Sequence, residues 1–205
     1  MTFAKLLPLA FVMIAGPQIL SAIFLATTER WKANSAAFVA GAAVSVTTVT
    51  SIGYLLSTGA SDEGTSNTTL DVIIIVLLVA AAIHKYVTRK QSKPPAWMGK
   101  LETAQPKGAF KLGFLLLGIF PSDILTSIAV GGYASSHGEA WWQIFGFVGL
   151  TLLFVALPAL TVVALGKKAE AFLPKVRDWM NANSWVVSET VLALFIALTA
   201  SSLSS

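Results

Sequence analysis

Long apolar runs alternate with short polar stretches along the whole chain. A helix crossing the hydrocarbon needs about 20 mostly apolar residues, within a range of roughly 17–25. Six stretches meet that requirement: residues 6–26, 33–57, 70–87, 109–133, 141–165 and 184–203. The second is rich in Ala, Ser, Thr and Gly rather than Leu, which leaves open a five-helix protein with a surface loop there. Small residues let helices approach closely in a bilayer, and Ala37, Gly41 and Ser45 recur every four residues on one face. The pattern predicts an all-α membrane protein of six transmembrane helices. In the first span, Lys5 before an apolar run resembles a signal peptide. Pro17 and Gln18 interrupt the segment, however, and the run exceeds the usual h-region of about 7–15 residues. A retained helix is expected.

Composition agrees with this pattern. Of 205 residues, 55% are hydrophobic and 12% charged, against roughly 25% charged in a soluble domain. That is too little polar surface to cover a globule, which argues against a soluble enzyme, a nucleic-acid binder and a disordered tail, despite the net charge of +4. One membrane domain over 1–205 is expected. It divides into a first half of about 1–90, a hinge of about 91–107 and a second half of about 108–205. The chain has no cysteine, which removes disulfides, thiolate metal sites and thiol redox chemistry.

The few charges inform by position. Six spans place the first, third and fifth connections on one side of the membrane. Those connections hold all 14 Lys and Arg residues except Lys5, which shares the other side with Asp62, Glu63, Asp71 and Glu139. The positive-inside rule puts the basic side in the cytoplasm and both termini outside. Trp31, Trp97, Trp141, Trp142, Trp179 and Trp185 all fall at or just outside an expected helix end, where an aromatic belt lies.

Residues 167–183 place Ala169, Phe172, Leu173, Val176, Trp179 and Met180 at helical spacing, with Lys168, Lys175, Arg177 and Asp178 between them. This reads as a short amphipathic helix at the membrane surface, bent at Pro174. It serves either to recognise anionic lipid or to act as a packing strut between the fifth and sixth helices. Pro94, Pro95 and Pro106 mark the hinge, and Asn67-Thr68-Thr69 is a formal glycosylation sequon.

An internal repeat appears near 104 residues. Gly16-Pro17-Gln18-Ile19-Leu20-Ser21 is similar to Phe120-Pro121-Ser122-Asp123-Ile124-Leu125-Thr126 with a one-residue slip. With three helices per half, the second half enters the membrane from the opposite side, giving an inverted 3+3 repeat. Interrupted helices at matching positions point to a midplane substrate site in small transporters; the plain alternative is a pair of proline kinks. Asp123 follows the second proline, midway along its span and without a local basic partner. A charge at that depth costs about 2.5–3.5 kcal/mol on insertion scales and marks a functional candidate. The candidate substrate-binding residues are therefore Pro17, Gln18, Ser21, Pro121, Ser122, Asp123 and Thr126. Asp123 and Glu189 are the candidates for proton or ion coupling; the lesser alternative for Asp123 is interhelical glue, and Glu189 could as well snorkel to the interface. Glu29 and Arg30 read as an interfacial pair or gate. His84 and His137 lie at opposite helix ends and read as solvated. No paired carboxylates, nucleophile elbow, phosphate-binding glycine loop or histidine cluster is present. Neither catalysis nor a cofactor or metal is expected.

Across essentially its full length the chain resembles the peptidoglycolipid-addressing (GAP) family, a branch of the lysine-exporter superfamily of small six-helix membrane proteins. The resemblance rests on Gly16-Pro17, on the small-residue helix after Arg30-Trp31-Lys32-Ala33-Asn34, and on Pro94-Pro95-Ala96-Trp97. The Pro121-centred fourth helix and Lys175-Val176-Arg177-Asp178-Trp179-Met180 before residues 184–189 also contribute. It implies export across the cytoplasmic membrane. Some members are linked to surface delivery of glycolipids, and relatives elsewhere in the superfamily move amino acids or metal ions. Redox carriers of the superfamily use cysteine pairs, which this chain lacks. The expected function is export of a small molecule or a lipid or glycolipid precursor, with proton coupling as an option. The alternative is a non-transporting scaffold for lipid delivery. Membrane lipids are the expected partners, nucleic acid is not, and the small-residue faces allow a homo-oligomer. A cavity joining Gln18 to Asp123 would favour transport; a dry, closed core between the halves would count against it.

Overall fold

The computed structural model describes residues 9–11, 13–14, 16–58, 101 and 103–183. The expected spans 70–87 and 184–203, with Lys5, His84, Glu189, the sequon and most of the hinge, lie outside the described residues. Everything regular among the described residues is helical. Helical residues 9–11 and 13–14 precede α1, Pro17–Ala26; α2 is Trp31–Thr58, α3 Pro106–Ile119 and α4 Pro121–Ser136. A single 3₁₀ turn at Trp141–Gln143 leads into α5, Ile144–Leu165, and then α6, Lys167–Ala182.

By length and composition, α2 and the stretch Trp141–Leu165 can each cross a membrane. The bent pair α3–α4 makes a third candidate if counted as one span. With 28 residues, α2 is about 42 Å long at 1.5 Å per residue, more than the roughly 30 Å hydrocarbon core, so it must tilt or project from it.

Both prolines singled out in the sequence begin a helix rather than kink one. Pro17 and Pro121 each stand in the first turn, where the missing N–H would have had no intrahelical partner and the fixed φ already suits a helix. The residues before them are non-helical. Gly16 is extended at φ 172° and ψ −145°, and Phe120 lies at φ −65° and ψ 126°. Steric pressure from a proline ring disfavours the α region for the preceding residue, so the sequence dictates a break. The expected span 109–133 is thereby two helices meeting at 66°.

The bent pair wraps one side of α2, and both of its helices press close. A Cβ on Gly41 would meet the backbone of α3 at Phe110, and lie 2.9 Å from the Phe114 nitrogen. One on Gly113 would in turn meet the Phe38 carbonyl. Further along, a Cβ on Gly53 would lie 2.6 Å from the Ile128 carbonyl oxygen of α4, and one on Gly131 would lie 2.6 Å from the Tyr54 nitrogen. Gly41 and Ser45 are buried, and Ala37 is half-buried against the main core. The small-residue face expected on this helix is thus consumed inside the protein.

The main core gathers Met13, Leu25, Phe38, Val46, Leu117 and Phe147, with further members from every helix except α6. Large apolar side chains also face outward among the described residues: Leu56, Leu125 and Val163 are 66%, 68% and 69% exposed. Buried positions meanwhile include Gln18, Ser21, Asn34, Ser45, Asp123, Thr126 and Ser127. Polar groups turned inward beneath an apolar exterior suit a protein whose solvent is lipid.

The expected amphipathic helix is α6, and it runs uninterrupted across Pro174. Gly166, in the left-handed region at φ 51°, lets the chain pass from α5 to α6 in one residue, a conformation glycine adopts without penalty. One side of α6 is a strut: Ala169 and Leu173 are buried against Ile23, Ala26 and Val162, and the Arg177 guanidinium lies 4.7 Å from the centre of the Phe24 ring. Beside this face stand exposed Phe172 and Trp179. Leu173→Ala should therefore lower stability by about 2–5 kcal/mol, as for other buried leucines. Phe172→Ala should leave the unfolding temperature in detergent nearly unchanged.

Candidate functional site

The two helix breaks meet. Gln18 is the second residue of α1 and Asp123 the third of α4, so both side chains leave the first turn of a helix that starts at a proline. The Gln18 Nε2 donates to Asp123 Oδ2 at 2.7 Å, across 105 positions of sequence. Both residues are buried, Gln18 at 3% and Asp123 at 1% exposure. Ser122 Oγ donates to the other carboxyl oxygen at 3.1 Å. Helix N-termini carry unsatisfied N–H groups and the positive end of the peptide dipole, both favourable to an acidic group. Two such ends converge on one carboxyl group, which explains how the fold tolerates an acid at this depth.

The surrounding hydroxyls serve their own helices. Ser21 Oγ donates to the Pro17 carbonyl at 2.6 Å, and Thr126 Oγ1 to the Ser122 carbonyl at 2.8 Å. Each is a bond to the carbonyl four residues back, so the repeated motif has the same local chemistry on both sides. Ser127 adds a contact from α4 to the segment before the first break, donating to Met13 Sδ at 3.8 Å. Of the expected site residues, Gln18, Ser122 and Asp123 form one connected cluster, with Pro17, Ser21, Pro121 and Thr126 shaping the two half-helices beneath it. Nothing intervenes between Gln18 and Asp123. They are in direct contact, which is the closed arrangement that counts against transport and not the joining cavity that would favour it.

A second polar site lies where α1 turns into α2. Here the expected Glu29–Arg30 pair does not form among the described residues; Arg30 Nη1 donates to Gln105 Oε1 at 3.1 Å instead. Beneath them Asn34 is fully buried. Its Nδ2 donates to Thr28 Oγ1 and to the Ala104 carbonyl, each at 3.0 Å. Thr28, Glu29, Arg30, Asn34 and Gln105 border a pocket of about 390 Å³. Sequence reasoning missed Asn34 and Gln105. The available signal was an Asn inside a helix, a residue whose side chain competes with the backbone and prefers caps and turns.

At the opposite end of the helices, Tyr54 Oη donates to the Glu139 carbonyl at 2.8 Å and Trp141 Nε1 to Ser51 Oγ at 3.2 Å. His137 caps α4: its ring stacks on Tyr133 at 3.8 Å and its Nδ1 lies 2.9 Å from the Tyr133 carbonyl. It is exposed, as expected of a solvated histidine. No group of three or more potential metal ligands occurs among the described residues.

The family whose model is described as Sap, sulfolipid-1-addressing protein (SfLAP) matches residues 6–204. No curated protein and no solved structure matches the chain. A membrane glycolipid-addressing family agrees with apolar membrane-length helices and with the expected surface delivery of lipids; the family match covers nearly every residue, and the chain belongs to the Sap, sulfolipid-1-addressing protein family.

Proposed function

We propose that this protein is a carrier that moves a lipid or glycolipid precursor, of the sulfolipid kind its family is named for, across the cytoplasmic membrane. Transport, not catalysis, is the proposed role. The observation that carries the reading is the buried Gln18–Asp123 bond between two broken helices. Interrupted helices in corresponding parts of a chain are how transporters place polar groups at mid-membrane, and irregular backbone is tolerated there only where protein or water satisfies it. A permanent closed contact would count against transport; in this reading the bond is instead the latch of one, closed, form. Substrate access requires it to open, and Gln18, Ser122 and Asp123 then present donors and an acceptor to a polar headgroup or a proton. Six spans in two inverted halves, with the basic connections cytoplasmic and both termini outside, supply the rocking motion.

The test is translocation of a fluorescent glycolipid in vesicles holding purified protein, at several pH values. Asp123→Asn keeps the shape and an acceptor for Gln18 but removes the ionisable group. The expected result is a loss of about tenfold or more in rate, the scale of one charge-assisted hydrogen bond, together with a flattened pH profile. Unchanged pH-dependent transport would remove Asp123 from the mechanism. If wild-type protein moves nothing yet retains a lipid-synthesis or export partner on purification, the accessory-scaffold reading replaces this one.

A further inference from the structure

Along α6, residues three or four positions apart share a face, and Lys168, Phe172, Lys175 and Trp179 follow one another at that spacing. All four are exposed, so they form one outward stripe of alternating cations and aromatics. No acidic residue occupies a stripe position; Asp178, next to Trp179 in sequence, is held by Arg177 at 2.9 Å. The stripe is distinct from the side that packs on protein, where Ala169 and Leu173 are buried and Val176 and Met180 join the same cluster. Packing within the chain therefore accounts for one face of α6 and leaves this one unexplained.

We propose that this stripe docks α6 onto the anionic phospholipid of the adjacent leaflet, with Lys168 and Lys175 at the phosphates and Phe172 and Trp179 in the acyl boundary. Continuity with the lipid-facing surface selects a bilayer over a soluble partner. The stretch Trp141–Leu165 is long and apolar enough to cross a membrane, and Leu160, Val163 and Leu165 are exposed up to its last residue. Only Gly166 separates that surface from α6. Charge selects the anionic lipid. Every Lys and Arg among the described residues stands at this end: Arg30 and Lys32 at the α1–α2 turn, Lys107 and Lys111 in the first half of α3, and the rest in α6. Such a bias marks a cytoplasmic face, the leaflet with the negative surface potential. The side chains suit the depth, because a tryptophan ring sits at headgroup level while a lysine stem lies along apolar surface and keeps its ammonium in water. The buried face of α6 meanwhile grips Ile23 and Ala26 of α1, the helix whose first turn holds Gln18, so the leaflet contact also positions α1. The lipid in question is the bulk leaflet, not a transported molecule, and the site does not depend on the carrier reading.

The chain has no cysteine, so Ala171→Cys, exposed and beside Phe172, gives the full-length protein a single site for a fluorophore. The labelled protein is placed in nanodiscs of mixed phosphatidylcholine and phosphatidylglycerol, and one lipid at a time carries a nitroxide near its headgroup. Quenching then reports which lipid sits against α6. Phosphatidylglycerol should quench more strongly. Lys168→Gln with Lys175→Gln should remove that preference, a change of about fivefold or more, since one lysine near an anionic surface is worth about fivefold in affinity. Phe172→Ala with Trp179→Ala should weaken quenching by both lipids and leave their ratio alone. Lys107→Gln with Lys111→Gln, the same loss of charge on exposed positions of α3, should change neither. Equal quenching by the two lipids overturns the proposal, as does a preference that survives in the α6 lysine variant or falls equally in the α3 variant. No quenching by either lipid would put the stripe in water or against a second copy, and overturns it too. A preference that stands while the wild type moves no glycolipid would sink the carrier reading and leave this surface in place.

Discussion

Replacing Gln18 by Leu should destabilise the protein, replacing Asp123 by Leu should do the same, and replacing both should restore most of the loss. Each single change takes the 2.7 Å bond from a buried partner, stranding the Gln18 amide in one case and leaving Asp123 with only its Ser122 bond in the other. A stranded buried group costs about 1–3 kcal/mol, and more when charged, whereas swapping both partners for apolar ones can be nearly neutral. The coupling between the two sites should therefore reach about 1–3 kcal/mol, the range seen for residues in direct contact. Unfolding in detergent for the four proteins of the cycle measures it. Transport should behave differently: if the latch carries substrate or protons, the Leu–Leu double variant stays inactive despite its recovered stability. A double variant that is both stable and active would make the pair interhelical glue and nothing more. Ser127→Ala is the control, since its 3.8 Å contact with Met13 sulfur is a weak bond whose loss should matter little to either readout.

The sequence named both partners of this latch but not their pairing. Pro17 and Pro121 announced the breaks, and a lone acid beside the second announced the chemistry. A proline in an apolar run is compatible with a kink or with a fresh start, and the difference lies in the ψ of the preceding residue. At Phe120 that angle is 126°, so α3 and α4 are separate helices, and the first turn of α4 is free to point its side chains at α1. For α6, periodicity located the helix well but could not divide its apolar stripe. Leu173 meets protein while Phe172, one position earlier, is exposed, because in a bilayer the outside of a helix bundle rewards the same residues as its core. Asn34 was illegible for a simpler reason. Among Ala, Ser and Gly a single Asn reads as one more small polar residue, and only the fold brings the Ala104 carbonyl to its amide.

The packing of α2 yields the other large expected effect, and it can be separated from ordinary helix propensity. Gly41→Ala and Gly113→Ala each push a methyl group into the backbone of the facing helix. At Gly113 it would lie 3.0 Å from the Phe38 carbonyl carbon and 3.1 Å from the Ala42 nitrogen, and at Gly41 2.9 Å from the Phe114 nitrogen. Backbone cannot rotate aside as a side chain can, so α2 and α3 must move apart. Overpacking of this sort costs about 1–3 kcal/mol, and Gly113→Leu should prevent stable folding altogether. Gly149 sits inside α5, and a methyl group added there would have nothing within 4 Å. Glycine is disfavoured against alanine by roughly 1 kcal/mol in a helix interior, so Gly149→Ala should be neutral or stabilising. Opposite signs for chemically identical substitutions, read as shifts in unfolding temperature, would establish that the small-residue face is a contact surface within one chain. If Gly41→Ala and Gly113→Ala instead unfold like the wild type, α2 does not approach α3 this closely. The face would then be free to pair with a second copy of the protein, which cross-linking from position 41 would reveal.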